Sequence, residues 1–302
     1  MAARSRHMER TLLLVAVIIF AGGFVAAYLN LPPSMEAPVW TLLALVAVIG
    51  VPATVATNAW EYALSANLLG YRVSPGAAVR VSIMASAANL LPIPGSVLVR
   101  TEAVRRLGAK TSRALATSTL VGLAWLAITA LLTGALLLVY GRIGLSAGAG
   151  GIGVVLTGAT VYLLARLEVS RPALVGAKLA LVESASVLVK AVRLYVILHA
   201  LHYQVGMDQA MALTSASVVA TASGFFPGGL GATEVLSAAV SPLVSLPAAV
   251  GLLAAAIDRM IGLAVLGLLT GALLFGKRHG AKEVEAAQEE SDALGAQPEP
   301  KI

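Results

Sequence analysis

Apolar residues in this chain come in long runs, not in the short alternations that mark half-buried strands. The runs cover about 11–29, 39–69, 114–140, 150–167, 179–203 and 247–275. A helix of about 20 apolar residues crosses the roughly 30 Å hydrocarbon core of a bilayer at 1.5 Å per residue. Each run therefore predicts a membrane-crossing helix, and the 39–69 run is long enough to tilt strongly. Two further apolar stretches are shorter and broken. Residues 77–91 and 96–107 flank Pro92-Ile93-Pro94-Gly95, and residues 209–226 and 230–243 flank Pro227-Gly228-Gly229. Proline removes a backbone donor and glycine frees the backbone, so each stretch predicts a pair of short helices joined at a break.

Composition agrees with a membrane chain. Of 302 residues, 58% are hydrophobic and 12% charged, against about 45–50% and 25% in soluble domains. The run at 11–29 is long for a signal peptide, has no A-x-A site after it and is followed by many more runs, so it is expected to remain as a span. The absence of cysteine excludes disulfides and thiolate metal sites. The four histidines do not cluster with acids at metal-ligand spacing, and HExxH, GxxxxGK[ST] and GxSxG are all missing. No enzyme activity, metal or cofactor is expected. The net charge of +6 sits beside the apolar runs, where basic residues orient a membrane chain, and no nucleic-acid motif accompanies it.

With the amino terminus (1–10) in the cytoplasm, Arg100 to Arg113, then Arg166, Arg171 and Lys178, and finally Lys277, Arg278 and Lys282 all fall on the cytoplasmic side. Arg142 is the exception. This pattern requires each broken pair to enter and leave on one side, as a re-entrant hairpin. Both termini are then cytoplasmic, in a cell (plasma or inner) membrane. The polar tail, 277–302, is expected to be disordered.

The chain also matches itself. Leu69 to Glu102 lies over Leu201 to Glu234 without a gap, pairing Tyr71 with Tyr203, Ala88 with Ala220 and Glu102 with Glu234. Residues 131–137 and 268–274 both read LLTGALL. Three crossings separate the two units (about 39–140 and 179–276), and an odd number inverts the second. The expected fold is an all-α polytopic transmembrane bundle with two inverted repeats, each holding a Pro/Gly-broken re-entrant hairpin. Such repeats recur in transporters, with freed backbone groups lining a midplane site.

The stretches Asn89-Leu90-Leu91-Pro92-Ile93-Pro94-Gly95, with Arg100 following, and Phe226-Pro227-Gly228-Gly229-Leu230-Gly231-Ala232-Thr233-Glu234, with Arg259 in the last span, resemble the flippase-like transmembrane domain of the lysylphosphatidylglycerol synthase family. The resemblance covers about 11–276 and points to a stand-alone member without the synthase part. It implies lipid translocation between leaflets, with membrane lipids as partners. Two positions depart from the family. Residues 121–125 carry no charge where relatives often have an acidic–Arg pair, and Ser96 stands where Gly or Arg is usual.

Charges at bilayer depth are costly and mark function or pairing. Glu183, Lys190 and Arg193 share one helical face at about 100° per residue. Lys190 and Arg193 either bind an anionic lipid phosphate or pair with Glu183, Glu234 or Asp258. Arg100 and Arg259 are candidate phosphate ligands through bidentate hydrogen bonds, and Arg259 is equally a partner for Glu234. Glu234 is a candidate substrate contact, and Glu183 and Asp258 are candidate coupling groups. Pro92, Pro94, Gly95, Pro227, Gly228, Gly229 and Gly231 form the candidate hairpin gates. A transporter of another anionic solute, and a non-transporting accessory subunit of an envelope-lipid or glycan enzyme, are the alternatives.

Overall fold

The computed structural model describes residues 37–88, 95–167, 171–222, 229 and 231–295. These residues are helical, with no strand among them. Helix α1 is Trp40–Leu68. It contains a π-helical stretch, Val46–Gly50, just ahead of Pro52. Proline lacks an N–H and crowds the carbonyl one turn back, and a widened turn accommodates both. Then follow α2 (Pro75–Ala88), α3 (Gly95–Arg106), α4 (Thr111–Val139) and α5 (Ile143–Arg166). The second half comprises α6 (Pro172–Ala200), α7 (Met207–Ala222), α8 (Ala232–Val240, extended by the 3-10 turn Ser241–Val244) and α9 (Ala248–Gly295). Helices α1, α4, α5 and the first part of α9 are long and apolar enough to cross a membrane.

Long helix, two short helices, long helix: this order occurs twice. The packing repeats with it. Helix α1 packs on α2, α2 on α3 and α3 on α4, while α6 packs on α7, α7 on α8 and α8 on α9. Across the halves, α4 lies against α7 and α9 against α2, and α1 meets α6 directly. Helix α5 stands outside this scheme and runs along α4. Small residues permit that approach: a Cβ on Gly134 would come 2.8 Å from the Gly150 nitrogen. Ser146 Oγ donates to the Gly134 carbonyl at 2.7 Å, a polar tie of the kind that holds helices together in lipid.

The interior is built from Leu194, Ile197, Leu198, Leu213, Val250 and Leu253 in the second half, and from Ala59, Tyr62, Ala78, Val104 and Ala114 in the first. The outside is as apolar as the inside. Val48 is 73% exposed, Val155 71% and Leu268 76%. Contiguous apolar surface is a liability in water and the ordinary state in lipid. The chain is a multi-pass helical membrane protein by this surface and by its helix lengths.

Three boundaries differ from the sequence expectation. Helix α5 begins at Ile143, not near 150: the glycines of 144–151 continue the helix, and the Gly150 backbone lies close to Gly134 of α4. Helix α6 begins at Pro172, not near 179; proline is at home in a first helical turn. Helix α9 continues to Gly295, so the backbone of 277–295 is helical where a disordered tail was expected. That stretch is rich in Ala and Glu, both strong helix formers. The expected span at 11–29, the broken segments with Pro92, Pro94, Pro227 and Gly228, and residues 296–302 lie outside the described residues.

Candidate functional site

Four acids and four bases meet where the two halves join. Three arginines are paired. Arg259, on α9, reaches across to the start of α8: its Nε lies 2.8 Å from Glu234 Oε1, and Nη2 donates to the Gly229 carbonyl at 3.0 Å and to Thr233 Oγ1 at 2.7 Å. Arg193, on α6, lies 2.7 Å from Asp258 Oδ1 of α9 and donates from Nη1 to Thr54 Oγ1 of α1 at 3.0 Å. Arg100, on α3, pairs with Glu61 of α1. Glu234 and Arg193 are almost fully buried. Ionised groups so placed need partners, since an unpaired buried charge costs several kcal/mol.

Two charged groups stand apart. Glu183, on α6, is 0% exposed, and neither carboxyl oxygen has a hydrogen-bond partner among the described residues. The charges it feels are Glu61, Arg100 and Lys190. Lys190 lies two turns further along α6, half-buried. Its ammonium sits 4.6 Å from the centre of the Trp125 ring on α4, a cation–π contact. No carboxylate lies within ion-pair distance of it among the described residues.

Local sequence explains how these groups are held. Gly50 closes the π-helical stretch of α1; a Cβ there would come 2.8 Å from Arg193 Cγ, so its absence opens the passage for that side chain. The same turn aims Thr54, which donates to the Gly50 carbonyl at 3.0 Å while accepting from Arg193. A Cβ on Gly95 would lie 2.0 Å from the Ala88 carbonyl oxygen. The first pair of short helices therefore closes only over glycine. Gly229 and Gly231 have φ of 71° and 80°, the left-handed region that glycine enters at little cost. The backbone turn at Gly229 presents its carbonyl to Arg259.

Of the residues singled out from sequence, Glu183, Lys190 and Arg193 do share an inward face, against α1, α4 and α9. Asp258 and Arg259 are adjacent but pair elsewhere, as their helical angle predicts. Glu61 escaped the sequence reading, although the rule that flagged Glu183 applies to it: it is the one charged residue in the run 39–69. Trp125 and Thr54 carried no such signal, because an apolar ring and a hydroxyl in a membrane helix are ordinary. Among the described residues no group of three His, Cys, Asp or Glu could hold a metal. An open cavity of about 350 Å³ lies apart from this cluster, two turns beyond Glu61 along α1, between Leu69, Tyr71, Gly108, Lys110 and Arg113. No family model, curated protein or solved structure matches the chain.

Proposed function

We propose that this chain is a membrane transporter of the lipid-flippase type, moving an anionic or amphipathic lipid between leaflets. One observation carries this most: inside a bundle where every described arginine of the cluster is paired, Lys190 places its ammonium on an aromatic ring with no carboxylate partner among the described residues. A phosphate is the natural counter-charge for such a group. The acyl tails would stay in the bilayer. The resemblance of the two Pro/Gly-broken motifs to the flippase-like domain of the lysylphosphatidylglycerol synthase family supports the same function.

The helix packing supports an inverted repeat with two re-entrant pairs. Exchanging the halves maps α1–α2, α2–α3 and α3–α4 onto α6–α7, α7–α8 and α8–α9, and α4–α7 onto α9–α2. With α1, α4 and α5 as three crossings, the second unit would be upside down relative to the first. The pairs α2–α3 and α7–α8 then dip in from opposite faces, as gates on either side of a common site. Both termini would lie in the cytoplasm of a plasma or inner membrane.

The pairing of Arg100, Arg193 and Arg259 favours a second reading, an accessory subunit whose charges only hold the bundle together. Leaflet transfer of head-group-labelled phosphatidylglycerol in proteoliposomes separates the two. The parent chain transfers the lipid, and a folded Lys190→Gln variant loses at least about tenfold in rate, equivalent to about 1.4 kcal/mol. A parent chain that transfers none under any imposed gradient contradicts the transporter.

A further inference from the structure

Glu183 is the group this function leaves unexplained. It is fully buried on α6, without a donor among the described residues. The charges nearest it are Glu61 of α1, Arg100 of α3 and Lys190 of α6 itself. Lys190 in turn has Arg193 of α6 and Asp258 of α9 beside it, and Arg259 of α9 is taken by Glu234. Helix α4 offers Trp125 and no charge in its bilayer stretch. The charged residue of α7, Asp208, is hydrogen-bonded to Tyr140, and on α5 Arg166 is bonded to Tyr162.

The charges count evenly. Glu61, Glu183 and Asp258 face Arg100, Lys190 and Arg193, three against three when all are ionised. Two of each sit in ion pairs, Glu61 with Arg100 and Asp258 with Arg193. Lys190 and Glu183 remain, about 10 Å apart along one helix. Wherever Glu183 is ionised, a phosphodiester arriving at Lys190 neutralises the ammonium and leaves one surplus negative charge in an apolar interior, which a proton on Glu183 removes. Of the three acids, Glu61 and Asp258 have guanidinium partners. Glu183 has none.

Building on the transport reading, we infer that an anionic head group at Lys190 and a proton at Glu183 bind together, so that the chain moves its substrate as an electroneutral pair with one proton. The step is a plain proton uptake, carboxylate plus proton giving carboxylic acid, with no bond made or broken elsewhere. Occupancy of the two sites is then linked, and the linkage is reciprocal. Lys190 holds the anion against Trp125, and Glu183 sets the pH at which it can be held.

The test is titration calorimetry on the purified full chain, in pairs of buffers that differ in ionisation heat, from about pH 5 to about pH 9. The probes are dihexanoyl phosphatidylglycerol, dihexanoyl phosphatidylcholine and inorganic phosphate. Phosphatidylglycerol binds with proton uptake that rises toward one per site as pH increases, and its affinity falls by up to about tenfold per pH unit. Stronger binding of phosphatidylglycerol than of inorganic phosphate identifies a lipid head group; the reverse identifies a free anion with the same proton linkage. Glu183→Gln keeps the shape of the neutral acid and cannot ionise, so it binds with flat pH dependence and no uptake. Binding by the parent without proton uptake overturns the linkage and leaves the transport reading standing, and so does unchanged uptake in Glu183→Gln. No binding of any probe overturns the transport reading and the linkage with it. The buffer comparison on the parent decides the matter even if the variant does not fold.

Discussion

The two pairs of short helices occupy equivalent places and are held in opposite ways. In the second pair, the turn at Gly229 and the start of α8 are clasped by one residue from outside the pair: Arg259 engages a carbonyl, a hydroxyl and the nearly buried Glu234. In the first, Arg100 belongs to the pair itself and reaches out to Glu61 on α1, with its side chain 17% exposed. The register that aligns Leu69 with Leu201 places Glu61 opposite Arg193, so the acid of one half stands where the other half has a base. It also aligns Glu102 with Glu234. Glu102 finds Arg105 and Arg106 one turn along its own helix and stays at the surface. Helix α8 has no basic residue of its own, and Glu234 takes its cation from α9. The helix packing is the same in the two halves while the charges are placed differently, so the two short pairs are held with different strengths.

That difference can be broken in order of size. Arg259→Ala strands a buried carboxylate and two further acceptors, and should cost about 3–5 kcal/mol in unfolding in detergent, the range for removing one partner of a buried pair. Glu61→Ala leaves Arg100 some exposure and should cost less, about 1–3 kcal/mol. Equal losses in the two variants would mean that the halves are held alike. The smallest effect belongs to Glu102. Hydrogen bonds from Arg105, then Arg106, hold its carboxyl down at about 2, against 4.5 for the free group. A depressed acid stabilises the fold above its unfolded value and loses that contribution as pH falls toward the folded one. The melting temperature of Glu102→Gln should therefore lie slightly below the parent's at neutral pH and converge with it as pH falls from about 4.5 to about 2. A gap that persists at the acid end would rule out those hydrogen bonds as its source.

Most of the helices could be read from the chain because bilayer thickness fixes the length of an apolar run. The boundaries that moved are instructive. Glycines that would end a soluble helix continue α5, whose backbone at Gly150 comes close to Gly134 of α4 and where no water competes for the backbone. The inward face of α6 was legible because Glu183, Lys190 and Arg193 recur at helical spacing in an apolar run. Their partners were harder to see. Asp258 and Arg259 look like a pair in sequence, and only the packing of α9 between α6 and α8 separates them. The isolation of Glu183 and the seat of Lys190 on Trp125 depend on three helices meeting, which no local pattern encodes.

The central structural claim is that the two halves are inverted, with each short pair entering and leaving on one face. The chain has no cysteine, so single cysteines can be placed cleanly at its loops and labelled in intact vesicles with a membrane-impermeant maleimide. Ser74→Cys and Lys110→Cys bracket the first pair; Met207→Cys and Ser245→Cys bracket the second. The account predicts that the first two label from one side of the membrane and the last two only from the other. Labelling of all four from the same side, or of Ser74→Cys and Lys110→Cys from opposite sides, would contradict it.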